Sequence, residues 1–364
     1  MRKALTIIAT LVLAGCGGGG TDATTHASIP VAAPASPNLV PTSFTMVIPR
    51  TSSSTSRQPQ YVTGNVASVV ISLTQVNGGS PPSGLTNNPA TSNISAGSCA
   101  SGCTVNGPSV PPGSDTFTLT TFDGASGTGN IISNVTTTLS VVAGVNNTLS
   151  ATLNGVPSSL VWGSAPSGAG GTSFSDTALS LAVKDADGNT ITGTYAHPIT
   201  LTDSDVSGAT TLSATTLSSS SDANALSLSY TGLDIVPASI EAQATGTTPA
   251  TLTFSPSVQP VIASTTEIDL YATGGTGSTG TLTAAQFGWT VPFGKSISAS
   301  LDGCANIATI SPASGTSFTV TVAASPAAGT CTLTLTGGAG ATAAVTLTYT
   351  SIGFGVNAHS RKSN

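Results

Sequence analysis

The sequence predicts an all-β protein made of several β-sandwich domains in a row, and three observations support this. Apolar residues alternate with Ser and Thr with a period of two, as on strands buried on one face. Gly, Asn and Asp follow most of these runs and supply the backbone conformations that turns need. Helical periodicity is nearly absent, so sheets must form the core.

Domain 1 is predicted to cover residues 43–155, since five alternating runs fall there. Its turns are expected at Asn77-Gly78, Asp123-Gly124, Ala143-Gly144 and Asn154-Gly155. Val, Ile and Thr at these positions suit a pleated, half-buried surface. The predicted strands are Phe44–Ile48, Ser68–Leu73, Asp115–Phe122, Val135–Val142 and Thr148–Leu153.

Domain 2 is predicted over residues 156–259 and domain 3 over 260–352, with a polar, disordered tail at 353–364. Each range has the length and the strand spacing of one β-sandwich. Domain 2 strands are expected around Leu179–Val183, Ile199–Leu201, Ala225–Tyr230, Ser239–Ala244 and Thr251–Phe254. Domain 3 strands are expected at Ile268–Tyr271, Ala308–Ile310, Phe318–Val322, Cys331–Leu335 and Ala344–Tyr349.

The N-terminus has the pattern of a cleaved leader. Arg2 and Lys3 precede the apolar stretch Ala4–Ala14, which at 11 residues is too short to span a hydrocarbon core of ~30 Å. Leu13-Ala14-Gly15-Cys16 then resembles the lipobox of a bacterial lipoprotein signal peptide. The resemblance implies removal of residues 1–15, lipid on Cys16 and a Gly/Pro/Thr-rich tether over 16–42. The alternative is an ordinary secretory signal with a chance cysteine.

Composition narrows the classes of function. Charged residues make up 6% of the 364, and without Arg2 and Lys3 the chain keeps six basic and 14 acidic residues. Nucleic-acid binding is therefore not expected, because contacts to phosphates need clustered Lys and Arg. The apolar fraction of 38% and the alternation favour a folded chain over a disordered one.

Four cysteines remain after Cys16, and three pairings of them are open. Local pairing, Cys99 with Cys103 and Cys304 with Cys331, is favoured because each pair then falls inside one predicted domain. An oxidising compartment outside the cytoplasm would permit both bonds. A zinc site at Cys99 and Cys103 is the rival interpretation, and it lacks a second Cys or His pair nearby.

Calcium is the best small-ligand candidate, although we expect no cofactor. Asp185, Asp187 and Asn189 offer oxygen ligands in one turn, and Asp203 and Asp205 do so in a later loop. Neither set has the spacing of a helix-loop-helix calcium site. The alternative is ordinary turn chemistry, in which Asp and Asn side chains satisfy nearby backbone groups.

No catalytic constellation can be assembled from spacing. The three histidines are His26 in the tether, His359 in the tail and His197 beside Pro198. None has the Ser and Asp partners in sequence that a nucleophilic triad would suggest. We therefore expect a protein that is not an enzyme.

Domain 3 resembles bacterial immunoglobulin-like domains. The resemblance rests on Asn306–Ser311, Phe318–Val320 and Ala328–Leu335, which are similar to the last strands of such domains. Domain 2, with Lys184–Asn189 between two strands, is similar to the repeats of invasin-type surface proteins. Domain 1, with Arg57–Val62 before a strand and Asp115–Phe122 later, resembles bacterial lipoproteins with several such units. The fold implied is tandem immunoglobulin-like β-sandwiches behind a lipoprotein signal peptide and a flexible tether.

Together these features predict a non-catalytic, lipid-anchored protein of the cell envelope, at the outer membrane or the cell surface. Its expected partners are the membrane, through the lipid on Cys16, and a protein or glycan ligand of adhesion or recognition. The alternative is a structural stalk or an accessory subunit of an envelope complex. Immunoglobulin-like folds serve both roles, so the fold alone does not decide between them.

Overall fold

Strands dominate the part of the chain that the structure describes. The computed structural model describes residues 38–47, 65–95, 99, 102–273, 276–289 and 295–351. The described residues from Leu39 onward form one compact unit, and of the unit before it only Asn38 is described. The described ranges contain 27 strands and one α-helix, α1 (Ser220–Asn224), and none of their helices is long and apolar enough to cross a membrane. The predicted all-β fold is confirmed.

Domain 1 consists of two sheets with an apolar interior. Phe44 and Phe117 face each other across it, with ring centroids 5.1 Å apart in an edge-to-face arrangement. One sheet contains β1 (Thr42–Met46), β4 (Cys103–Asn106) and β7 (Asn147–Ser150). The other contains β2 (Ser68–Val76), β3 (Ala90–Asn93), β5 (Gly113–Phe122) and β6 (Ile131–Val141).

The second of these sheets continues into domain 2. A two-residue strand, β8 (Asn154–Gly155), pairs with β6 through Ser133 and with Tyr195 of domain 2. The predicted turn at Asn154-Gly155 is therefore wrong: pairing on both sides holds this segment extended and outweighs the local preference of Asn-Gly for a turn. One apolar cluster accordingly runs from Val40 to Phe254. The domain boundary at 155/156 stays a prediction.

Domain 2 surrounds three packed aromatic rings, Phe174, Tyr230 and Phe254, whose centroids lie 5.0–5.7 Å apart. Ser219 caps α1 by accepting a hydrogen bond from Asp222 N. The strands are β9 (Ser159–Trp162), β10 (Phe174–Ala178), β11 (Leu181–Lys184), β12 (Thr194–Asp203), β13 (Thr210–Leu212), β14 (Thr216–Ser219), β15 (Ser227–Tyr230), β16 (Ala238–Gln243) and β17 (Ala250–Phe254). The large sheet has the order β17-β16-β12-β8-β6-β5-β2-β3, with β14 beside β12.

Domain 3 is a sandwich with an apolar cluster of its own, from Val261 to Tyr349. Its smaller sheet has the order β18 (Val261–Ala263), β21 (Thr279–Gln286), β25 (Ser317–Val322) and β23 (Ala308–Ser311). Its larger sheet has the order β20 (Thr276–Gly277), β19 (Glu267–Thr273), β27 (Thr342–Ser351), β26 (Gly329–Thr336), β22 (Ile297–Asp302) and β24 (Ser314–Gly315). Along β26 and β27 the inward residues are apolar and the outward ones are mostly Thr.

Candidate functional site

The larger sheet of domain 3 presents a polar outer surface, which we call the hydroxyl face. It consists of the outward side chains of β19, β27, β26 and β22. One row crosses all four strands, because Glu267 pairs with Thr346, Thr346 with Thr332, and Thr332 with Asp302. At the usual strand spacing this row is about 14 Å long. A carboxylate thus stands at each end of a row of hydroxyl groups.

Tyr271 stands at one corner of the hydroxyl face. Glu267, Asp269 and Tyr271 alternate with the buried residues Ile268 and Leu270, so all three project outward from β19. The Tyr271 side chain is half exposed, and its strand partner on β27 is Thr350. The corner therefore combines an accessible aromatic ring with a carboxylate and hydroxyl groups.

Domains 2 and 3 contact each other at a second candidate site, which we call the junction. Ile235 N donates to Gly288 O at 3.0 Å, and Asp234 forms a β-bridge with Trp289. Lys295 Nζ lies 3.9 Å from Asp234 Oδ2 and 4.7 Å from the centroid of the Trp289 ring. Backbone pairing, a salt bridge and a cation–π contact thus coincide within a few residues.

Asp234 is held from several sides. It is buried, its Oδ1 accepts from Val236 N at 3.0 Å, and its carbonyl oxygen accepts from Tyr230 Oη at 2.5 Å. Burial raises the pKa of Tyr230 to about 12, and the charges of Asp234 and Asp205 act in the same direction. The phenol therefore stays a hydrogen-bond donor at neutral pH, and Lys295 supplies the charge opposite the carboxylate.

Apolar side chains surround the junction. Leu233, Val236 and Phe287 are each at least 40% exposed, and Phe287 reaches 59%. Phe287 lies against Gly171, where an added Cβ would come within 2.6 Å of the Phe287 Cβ. Part of this patch is therefore contact between the two domains, and the rest faces outward.

The two tryptophans of the chain each donate the indole N–H to a backbone carbonyl. Trp162 Nε1 donates to Ala250 O at 3.0 Å, which joins β9 to β17 within domain 2. Trp289 Nε1 donates to Ser296 O at 3.0 Å, and its ring packs on Gly338. Both side chains are half-buried and pack against the core of their own domain.

Disulfide bonds join Cys99 to Cys103 and Cys304 to Cys331, with Cα–Cα distances of 4.6 and 5.2 Å. Cys103 lies at the start of β4, and Cys331 lies in β26. Lipidation of Cys16 stays a prediction, because Cys16, the leader, most of the tether and the tail lie outside the described residues.

The first set of calcium candidates forms a hairpin turn. Asp185 Oδ1 accepts from Asp187 N at 3.0 Å and from Asn189 N at 2.8 Å. Burial raises the pKa of Asp187; the charges of Asp123 and Asp185 add to this, while the hydrogen bond from Asn65 opposes it. Asp123, in a turn of domain 1, is the neighbour that the sequence did not indicate.

The second set, Asp203 and Asp205, closes a loop. Thr210 Oγ1 donates to Asp203 Oδ2 at 2.7 Å, and Thr210 N donates to Asp205 Oδ2 at 2.7 Å. Although burial alone would raise it, the hydrogen bonds donated by Ser207 and Thr210 hold the pKa of Asp205 below its ordinary value. Across the described residues, no group of three or more His, Cys, Asp and Glu is placed to hold a metal ion.

His197 lies within β12 and is half-buried. Beside it, Pro198 and Thr200 line a small polar recess with the hairpin Gln243–Thr247. His26 and His359 lie outside the described residues.

Comparisons with known proteins find likeness only among solved structures. No protein-family model and no curated protein matches the chain. Domains 4–9 of the surface layer protein SbsC are 15% identical, over 78% of this chain and 39% of that one, with a TM-score of 0.22. The Yersinia pseudotuberculosis adhesin InvE is 18% identical, over 52% of this chain and 58% of that one, with a TM-score of 0.30. A Parabacteroides merdae beta-glucuronidase is 12% identical, over 52% of this chain and 21% of that one, with a TM-score of 0.20.

This chain therefore spans less than two thirds of the length of the first two of these structures. At such scores and identities the likeness carries no argument about activity, ligand or location.

Proposed function

We propose that this chain is a non-catalytic, lipid-anchored protein of a bacterial cell envelope that recognises glycans through the hydroxyl face. The observation that carries the proposal is the position of Tyr271, half exposed in one outward line with Asp269 and Glu267. The location rests on the leader and on Cys16. The two parts are independent and are tested separately.

The hydroxyl face offers the groups that a sugar chain can use. Tyr has an apolar ring surface and a polar end, so it can cover the C–H face of a pyranose and still reach water. Carboxylates accept hydrogen bonds from sugar hydroxyls, and Thr hydroxyls both donate and accept. Because the face contains Glu267, Asp269 and Asp302 and no basic residue, the ligand should be neutral rather than acidic.

Recognition is tested on glycan arrays with the soluble chain from residue 17 onward, after circular dichroism has shown that it keeps its β-sheet spectrum. We expect binding to a neutral glycan, lost at least tenfold in Tyr271→Ala and largely kept in Tyr271→Phe, which retains the ring. Thermal unfolding should be the same in all three proteins, since Tyr271 is outside the core. If no neutral glycan binds, or if Tyr271→Ala binds as wild type does, the hydroxyl face is not the binding surface.

Anchoring is tested in cells that carry a C-terminally tagged chain beside a Cys16→Ala variant. We expect the wild type in the membrane fraction and the variant in the soluble fraction. Protease added to intact cells should remove the tag if the protein is displayed at the surface. A variant that stays membrane-bound would rule out the lipid anchor, and protection of the wild-type tag would place the protein behind the outer membrane.

A stalk or accessory subunit of an envelope complex is the second candidate, and the junction favours it. Backbone pairing, the Lys295–Asp234 salt bridge and glycine packing all fix domain 3 to domain 2. A spacer needs such fixed joints and needs no binding face. In-cell crosslinking separates the two candidates: a stalk gives discrete protein adducts that survive Tyr271→Ala.

A further inference from the structure

Asp115 is a carboxylic acid buried in the core of domain 1. Its exposed fraction is 0%, and neither Oδ1 nor Oδ2 contacts a donor among the described residues. Alternation along β5 puts it on the same side as Phe117 and Leu119, both also 0% exposed. The carboxyl group therefore faces the apolar core, where an ionised carboxylate loses its hydration without compensation.

Among the described residues, the strands next to Asp115 offer no counter-charge. The strand partners of Asp115 are Val76 of β2 and Leu139 of β6. Neither these strands nor β1, β3, β4 and β7 contain an ionisable side chain, the disulfide-bonded Cys103 apart. Asp123 is the other ionisable residue among the described residues of domain 1, and it lies eight residues further on. Along an extended strand this is about 27 Å away.

We propose that Asp115 makes domain 1 a sensor of pH, with a core that is firm when this carboxyl is protonated in mildly acidic surroundings and loosens when it ionises towards neutral pH. The proposal is independent of any glycan ligand. The ionised group needs water or a hydrogen-bond donor, and it gains one only when the chain around it opens. The apolar core thus couples one proton to the packing of the whole domain.

The direction follows from linkage. Burial raises the pKa of Asp115 from 3.8 to about 6. The folded state then binds the proton more tightly than the unfolded state, so stability is greatest below pH 3.8 and falls as the pH rises to about 6. Over that window the folding equilibrium constant of domain 1 should fall roughly a hundredfold, and it should be flat above it.

The N-terminal end of β5, where Asp115 lies, is close in sequence to a residue that pairs with the start of domain 1. β5 begins at Gly113, three residues after Val110. Val40 and Val110 exchange backbone hydrogen bonds of 2.7 and 2.9 Å, and Val40 is the first paired residue that the structure describes. These two amides should be among the first to lose protection when Asp115 ionises.

Hydrogen exchange of the full soluble chain at pH 4, 5, 6 and 7 tests the proposal, after correction for intrinsic exchange rates. In the wild type, peptides covering Val40, β5 and β6 should lose protection by roughly a hundredfold between pH 4 and pH 7. Asp115→Asn and Asp115→Leu remove the ionisable group and should flatten this dependence. Asp302→Asn, on the exposed face of domain 3, should leave it unchanged. Equal pH dependence in the wild type and the Asp115 variants would overturn the proposal.

Carboxyl titration of the wild type keeps the test valid if both Asp115 variants fail to fold. With ¹³C-labelled aspartate, one carboxyl resonance should titrate with a midpoint near 6. Asp187→Asn removes the other aspartate among the described residues whose pKa is raised, and the resonance should persist in that variant. If every aspartate carboxyl in this variant titrates below about pH 5, Asp115 is hydrated or paired in solution, and the proposal fails.

Discussion

Lys295 lies across the boundary of two domains from Asp234: its Nζ is 3.9 Å from Asp234 Oδ2 and 4.7 Å from the centroid of Trp289. The carboxylate side chain is 5% exposed and the ammonium side chain 26%. Because the acid is nearly buried, it depends on this cation and on Val236 N for compensation. The pair therefore fixes the junction more firmly than a surface ion pair would.

Lys295→Met should destabilise the junction by about 1–2 kcal/mol, since it removes the salt bridge and the cation–π contact and keeps the length of the side chain. Denaturant unfolding measures the loss. Protease cleavage of the segment 257–260, between β17 and β18, should also become faster. Lys184→Met, on β11, is the control and should change neither quantity by more than a few tenths of a kcal/mol. Identical unfolding and cleavage of the two variants would mean that the Lys295–Asp234 pair does not stabilise the junction.

Gly288→Ala should open the same junction for a steric reason. Gly288 has φ +76°, and an added Cβ would lie 2.7 Å from Gly170 Cα. Gly246→Ala is a matched control: its φ is +84°, and nothing lies within 4 Å of its added Cβ. Both variants should lose about 1 kcal/mol to backbone strain. Only Gly288→Ala should lose further stability and show faster protease cleavage within residues 257–260. An equal loss of stability in the two variants would exclude close packing at the junction.

The strands of domain 3 were predictable because period-two alternation and burial coincide there. Cys331–Leu335 and Ala344–Tyr349 lie inside β26 and β27, with apolar residues inward. Helix α1 was not predictable, because five residues are too few to show a helical period. The joining of two sheets through Asn154-Gly155 was missed since it depends on strands distant in sequence.

Of the candidate sites, too, one could be predicted from the sequence and another could not. The inward position of Asp115 could have been found from its parity with Phe117 and Leu119 in one alternating run. By contrast, nothing in the sequence links Lys295 with Asp234, 61 residues earlier. Their approach depends on how two sandwiches meet, which local patterns do not determine.

Removing the Cys304–Cys331 bond should cost more than removing the Cys99–Cys103 bond. The first closes a loop with a sequence separation of 27 and the second one of 4. The chain-entropy model gives about 3.5 kcal/mol and about 2 kcal/mol for these loops. Denaturant unfolding of the paired Cys→Ser variants measures both losses. A larger loss for the short loop would show that the entropy of the unfolded chain is not the dominant contribution.

Asp205→Asn should destabilise domain 2 by about 1–3 kcal/mol at pH 7, because Asp205 accepts charge-assisted hydrogen bonds from Ser207 and Thr210. The pKa of Asp205 is lowered in the folded state, so its contribution is present above about pH 3.8 and is lost as the pH falls through the folded pKa. The gap between wild type and variant should therefore close in acid. A gap that stays constant down to pH 2 would contradict this assignment.

Calcium should leave the unfolding temperature unchanged. Calcium needs six to eight oxygen ligands, and the carboxylates of Asp185, Asp203 and Asp205 already accept hydrogen bonds from turn N–H and hydroxyl groups. Binding a cation would require these bonds to break and the turns to rearrange. Melts of the wild type in millimolar calcium and in chelator should therefore coincide. A midpoint that rises with calcium and loses the rise in Asp187→Asn would place a cation at the turn Asp185–Asn189, beside Asp123 of domain 1.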